Sequence, residues 1–301
     1  MDGNVWASLL QQIIAGEAKP LARAISFIEN ELRGYEQFLQ SLPTSGNPII
    51  GITGPPGAGK STLTDALIAS MVADNKRVGV ICVDPSSPFN LGALLGDRIR
   101  MSEWYNHPNV FIRSLATRGS LGGLHPKIIE IADTMKAAGF DYVIVETVGV
   151  GQSEIEIAGL ADVTIVVLVP EAGDEVQNMK AGLMEIGQLF VVNKADRPDA
   201  DLFARNLKLT LHSAEKRNEQ TPKVIKTIAH TRQGIAELYM AIKTCLLQLG
   251  SSNRKYYLLA DKAYHQLQQR RMKDVSRQQL FKEIKESKIT NLYAFLAAHY
   301  S

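Results

Sequence analysis

Short, uninterrupted apolar runs alternate along this chain with segments whose apolar residues recur every three or four positions. Pro48–Thr53, Val78–Val83, Tyr142–Val145, Val163–Val169 and Leu189–Val192 are the runs. Apolar positions without alternation predict strands buried on both faces. Val110–Ile112 is a shorter candidate, and Lys223–Ile228 a candidate last strand. Between the runs, Ser61–Ala73 carries Leu63, Ala66, Leu67 and Met71 at helical spacing, and Lys127–Ala138 carries Ile128, Ile131, Ala132 and Met135. Further helices are expected over 176–187, 200–217 and 234–249. Strands separated by helices predict an α/β fold, a mostly parallel β-sheet flanked by helices on both faces. Such sheets bind ligands at the carboxyl ends of their strands.

The flanks read differently. Val5, Leu9, Leu10, Ile13 and Ile14 form one helical stripe, and Leu21, Ala24, Ile25, Ile28, Leu32 and Phe38 another, with Gly16 and Pro20 as punctuation. Residues 1–45 are therefore an N-terminal helical extension, ending in the linker Leu42–Pro48, and its helices are expected to pack on the core or on a partner. Residues 46–250 form the α/β domain. Residues 251–301 read as a helical arm, with ten Lys/Arg against four Asp/Glu over 254–288. That charge suits a solvated face or a docking surface, with dimerisation one use of the arm.

Composition narrows the class. The 301 residues are 45% hydrophobic and 21% charged, as in a globular protein able to bury a large core. A net charge of +2 offers no global attraction to nucleic acid or a membrane surface. No apolar run approaches the roughly 20 residues of a membrane span, and the first residues lack a secretory layout. Cys82 and Cys245 are expected as free thiols, and a cytoplasmic protein is the simplest expectation. The six histidines are dispersed and no Cys-x-x-Cys is present, so no cage for a transition metal is expected.

The chemistry gathers at strand ends. Gly54, Pro55, Pro56, Gly57, Ala58, Gly59, Lys60 and Ser61 fit G-x-x-x-x-G-K-S/T between a strand and a helix. Glycines let backbone N–H groups turn onto phosphates, and the helix N-terminus adds partial positive charge. Lys60 is expected to reach the β- and γ-phosphates, and Ser61 to ligate Mg²⁺. The expected fold is thus that of a P-loop NTPase. Asn193, Lys194, Ala195 and Asp196 spell N-K-x-D at another strand end. A carboxylate there accepts from the N1–H and 2-amino group of guanine; with adenine it would be desolvated and unpaired. Glu146 ends a strand just before Thr147, Val148 and Gly149. Its carboxylate can hold an Mg²⁺ shell, and Gly149 can bring an N–H to the γ-phosphate. Many GTPases have Asp where this chain has Glu146. Asp84 and Asp97 are further candidates for the phosphate and metal region, or else loop acids. Gln152 is a candidate for aligning the attacking water. The glycine segment 119–123 reads equally as a switch or a tight connection.

GPPGAGKST (54–62), VDPSSP (83–88), LGDRIRM (95–101), RGSLGG (118–123), ETVGVGQSE (146–154), AGDEVQ (172–177) and NKAD (193–196) together resemble the MeaB/ArgK-type G3E GTPases. These are chaperones of the adenosylcobalamin-dependent methylmalonyl-CoA mutase. The resemblance spans roughly residues 5–250. It implies a homodimeric GTPase that gates cobalamin loading and protects a mutase, with GTP/GDP and Mg²⁺ as ligands. It assigns phosphate contacts to Gly54 through Thr62, a metal shell to Ser61, Asp84, Asp97 and Glu146, and base contacts to Asn193, Lys194 and Asp196. Residues 173–180 resemble an additional switch. Ala229, His230 and Thr231 replace a Ser-Gly or Ser-Ala guanine loop, a change that a backbone contact survives. A P-loop kinase of a small metabolite and a metallochaperone GTPase are the alternatives. The first would favour ATP and have no need of Asp196; the second would need clustered His or Cys.

Overall fold

The computed structural model describes residues 3–84, 101–117, 124–148, 153–172, 184, 186–214, 222–249, 254–272, 275–287 and 291–300. They form two compact units, Met1–Leu258 and Leu259–Ser301.

The first unit is built on one sheet of seven strands: β1 (Ile49–Thr53), β2 (Val78–Asp84), β3 (Val110–Ala116), β4 (Tyr142–Glu146), β5 (Val163–Leu168), β6 (Leu189–Val192) and β7 (Lys223–Lys226). Their order is β3-β2-β4-β1-β5-β6-β7, and every pairing is parallel. β1, β2, β4, β5 and β6 are buried at every position, as their unbroken apolar runs require. β3 is longer than the expected Val110–Ile112. It lies at the sheet edge, half-buried over Phe111–Ser114, so it tolerates Arg113 and Ser114 in mid-strand.

Helices α1 (Gly3–Ile14), α2 (Ala18–Glu29), α3 (Tyr35–Gln40), α4 (Lys60–Ala73), α5 (Ile128–Ala137), α6 (Ser153–Leu160), α7 (Ala200–Ala214) and α8 (Ile235–Leu249) cover the sheet. α4 and α8 pack on one face, against Ile50, Ile52, Val80, Ile144, Ile165 and Val191. On the other face, α1–α3, α5 and α6 cover β1–β4 through Ile49, Ile81, Val143 and Val145, while α7 covers β5 and β6 through Phe203, Leu207 and Leu211. Pro20 falls inside α2 rather than before it. In the first turn proline costs little, because N–H groups there have no intrahelical acceptor.

Polar contacts tie the N-terminal helices to the sheet. Arg113 on β3 donates to Ser26 Oγ at 3.1 Å and pairs with Glu29, both on α2. Lys127 pairs with Glu31 at 2.8 Å and Glu130 at 3.4 Å and lies against the Tyr35 ring. Burial acts to lower the Lys127 pKa. The Glu31 and Glu130 carboxylates and the Tyr35 hydroxyl outweigh it and hold the ammonium above the ordinary lysine range.

Helix α9 (Arg254–Arg271) begins in the first unit and continues into the second, which adds α10 (Arg277–Ser287) and α11 (Leu292–His299). In the second unit Tyr300 donates to Glu283 at 2.5 Å and Phe295 stacks on His299, while Tyr264, Phe281 and Tyr293 are exposed. No described helix is long and apolar enough to cross a membrane.

Candidate functional site

The site lies at the carboxyl ends of β1, β4, β2 and β6. Gly54 leaves β1 at φ +137°, and a Cβ there would sit 2.1 Å from the Val167 carbonyl oxygen. The loop can therefore turn so close to β5 only with glycine. Gly59 opens α4 at φ +87°, and its missing Cβ would meet Asn193 Nδ2 at 2.4 Å. From Gly59 onward the first turn of α4 points its N–H groups out of the helix end, the arrangement that attracts an anion. Lys60 is buried, and its ammonium donates to the carbonyls of Gly54 at 2.9 Å and Pro55 at 3.1 Å. The cation is thus held over the loop that it would share with phosphates. Pro55, Pro56 and Gly57 form the open rim, Ala58 is buried beneath it, and Thr62 is half-buried on α4.

Beside this loop the β2–β4 register pairs Cys82 with Glu146, which puts Asp84 on the same face two residues further along. Both carboxylates are buried, at 5% and 3% exposure. Ser61 Oγ donates to Glu146 Oε1 at 2.6 Å, and Thr64 Oγ1 donates to Glu146 Oε2 at 2.8 Å. Hard oxygen donors from Ser61, Asp84 and Glu146 suit a divalent cation such as Mg²⁺, and two buried carboxylates beside one ammonium leave acidic charge that a cation would offset. Among the described residues no cluster of three His, Cys, Asp or Glu side chains forms a metal cage. Thr147 Oγ1 donates to Thr53 Oγ1 at 3.0 Å, locking the start of the segment after β4 to the end of β1.

The base-reading segment follows β6. Asn193 is 2% exposed and joins three loops. Its Nδ2 donates to the Ala58 carbonyl at 2.9 Å, and its Oδ1 accepts from Thr227 Oγ1 at 3.1 Å and the Ala229 N–H at 3.2 Å. These contacts tie the phosphate loop to the segments that follow β6 and β7. Lys194, at φ +55°, spans to the Gly57 carbonyl at 2.8 Å, so its stem bridges the base side and the phosphate side. Asp196 is exposed. Ala229–Thr231 form a 3₁₀ turn with Ala229 buried and His230 and Thr231 exposed. A cavity of about 670 Å³ lies behind this segment, lined by α7, β7 and the start of α8, and is separate from the phosphate loop.

Asp97, Gly149, Gln152 and the segment 173–180 lie outside the described residues, as do most of the motif residues of 83–101 and 118–123. Thr64, Thr53, Thr147 and Thr227 carry polar contacts of the site that motif reading passes over. The available signals were Thr64 standing one helical turn after Lys60 and a glutamate where an aspartate is usual.

The chain is similar to known proteins over most of its length. Residues 21–288 match the family model described as Methylmalonyl Co-A mutase-associated GTPase MeaB. A Pyrococcus horikoshii protein named as a GTPase is 47% identical over 240 residues, spanning 78% of this chain and 76% of the relative. The GTPase ArgK of Escherichia coli is 37% identical over 257 residues, spanning 81% and 78%. The crystal structure described as LAO/AO transport system kinase superposes with a TM-score of 0.70 at 26% identity, covering 96% of this chain and 95% of that one.

Proposed function

Because the chain belongs to the MeaB family of methylmalonyl-CoA mutase-associated GTPases and is a P-loop GTPase, we propose that it is a GTP-gated chaperone of an adenosylcobalamin-dependent mutase of the methylmalonyl-CoA mutase type. It would gate cobalamin loading and protect that enzyme, as a homodimer in the cytoplasm. The family match supports the client. The clamp of Asn193 across the phosphate loop and the Ala229 turn is the structural observation that carries the guanine-nucleotide reading.

In this reading the main-chain amides of 54–62 and the Lys60 ammonium hold the triphosphate. Asp196 accepts from the guanine edge, the Lys194 stem lies along the ring, and the Ala229–Thr231 turn offers backbone donors. Ser61, Asp84 and Glu146, with Asp97 on sequence grounds, would hold Mg²⁺. When bound, that ion would neutralise charge on the β- and γ-phosphate oxygens. Water attacks the γ-phosphorus, the bond to the β-γ bridging oxygen breaks, and GDP and phosphate leave. Phosphoryl transfer asks mainly for positioning and charge stabilisation. Gln152 and Gly149 are assigned to the water and the γ-phosphate from sequence alone. The proposal includes slow intrinsic turnover, raised by the client.

A pull-down from native cell extract with a non-hydrolysable GTP analogue tests this. Recovery of a cobalamin-dependent mutase supports the proposal, and nucleotide-dependent recovery of an unrelated protein overturns the client. Side-by-side GTP and ATP affinities discriminate against a metabolite kinase.

A further inference from the structure

Thr64 stands one turn into α4 from Lys60 and is wholly buried. Its hydroxyl lies 2.8 Å from Glu146 Oε2 and 3.0 Å from the Lys60 carbonyl oxygen. One hydroxyl has one proton, so these acceptors compete. The carboxylate is closer and charged, and charge-assisted bonds are roughly twice as strong as neutral ones, so the proton goes to Glu146. Ser61 donates to the other carboxylate oxygen at 2.6 Å. Ser61 and Thr64 are three residues apart, hence neighbours on one helix face. Between them they give each oxygen of Glu146 its own donor.

This pairing bears on the cation. A serine hydroxyl that ligates a metal must keep its proton turned away from it, and Glu146 Oε1 accepts that proton. The carboxyl torsion of a glutamate is broad and roughly two-fold, so a donor on each oxygen restricts it more than a donor on one. In this chain the carboxylate that ends β4 belongs to a glutamate, and it meets two hydroxyls of α4.

We infer that Thr64 is a positioning residue for the divalent-cation site: by holding Glu146 Oε2 it fixes the carboxylate orientation that receives the Ser61 proton, and so sets how tightly the cation binds. The inference rests on the proposed cation role of Ser61 and Glu146.

The test is the Mg²⁺ concentration that half-slows release of a fluorescent GDP analogue from the full chain, measured in Mg²⁺–EDTA buffers. Thr64→Val keeps shape and removes the hydroxyl. It is expected to raise the half-point about tenfold to a hundredfold, the range for losing a hydrogen bond to a charged group. Thr64→Ser, which keeps the hydroxyl and loses the methyl, should stay within twofold of the unaltered protein. Nucleotide affinity in excess EDTA should be unchanged in both. If Thr64→Val does not fold, Thr64→Ala against Thr64→Ser supplies the same contrast. A half-point unmoved in Thr64→Val but raised in Glu146→Gln overturns the role of Thr64 alone, and so does Thr64→Ser proving as damaging as Thr64→Val, which would mark a packing role. A half-point unmoved in Glu146→Gln as well overturns the cation reading beneath it.

Discussion

Asn193→Ala is the perturbation that most directly tests the clamp between the two sides of the nucleotide site. The side chain is buried and makes three contacts: to the Ala58 carbonyl at 2.9 Å, from Thr227 Oγ1 at 3.1 Å and from the Ala229 N–H at 3.2 Å. At about 1 kcal/mol of net stabilisation each, their loss amounts to about 3 kcal/mol. Without nucleotide, the loops can relax and find water partners, so stability should fall by only part of this. A drop of about 1 kcal/mol corresponds to about 2–4 °C in melting temperature for a domain of this size class. With nucleotide, both loops must be held at once, so the remaining 2 kcal/mol should appear as weaker binding. That is about thirtyfold in Kd for GDP. The assay is stopped-flow release of a fluorescent GDP analogue, where the change should fall on the off-rate. Thr227→Val removes one contact, and with the same two-thirds share appearing in binding it should cost about threefold. Affinity within threefold of the unaltered protein, together with a large fall in melting temperature, would refute the clamp and leave Asn193 a purely structural residue. Equal effects of the two variants would refute the division of energy among its contacts.

Asp196→Asn should lose guanine preference and gain xanthine preference, read as GDP against XDP affinity, because the amide can donate where the carboxylate only accepts. Gly54→Ala would drive a Cβ to 2.1 Å from the Val167 carbonyl at a φ of +137°, so nucleotide binding should be abolished, with circular dichroism reporting whether the sheet survives. Lys127→Met leaves the buried Glu130 without its cation and should lower the urea unfolding free energy by about 3 kcal/mol, with GDP affinity unchanged. The Lys127 pKa is raised on folding, so its contribution is complete below the unfolded-lysine value of about 10.4 and is lost only as pH rises through the folded one. The stability deficit of Lys127→Met should therefore be the same at pH 6 and pH 9.

What was legible in the sequence follows from the range of the interactions involved. Buried parallel strands announce themselves because each must be apolar on both faces, and Ile49–Thr53, Val163–Leu168 and Leu189–Val192 are. The glycines at 54 and 59 were legible because a single backbone position demands them. β3 was legible only at its start, since an edge strand with one open side can place Arg113 and Ser114 where a central strand cannot. The ion pairs of Arg113 and Lys127 with α2 and the residues just after it were not legible, for a charged side chain does not reveal a partner more than 80 residues away. The same limit hid Thr64. In sequence it is one small residue on a helix face; in the fold it touches a carboxylate 82 positions later. Position 146 is a glutamate where an aspartate is usual, and among the described residues Ser61 and Thr64 give a donor to each of its oxygens. The departure at 146 was readable in the sequence; the residue that answers it was not. A substitution in a motif is half of a pair, and the fold supplies the other half.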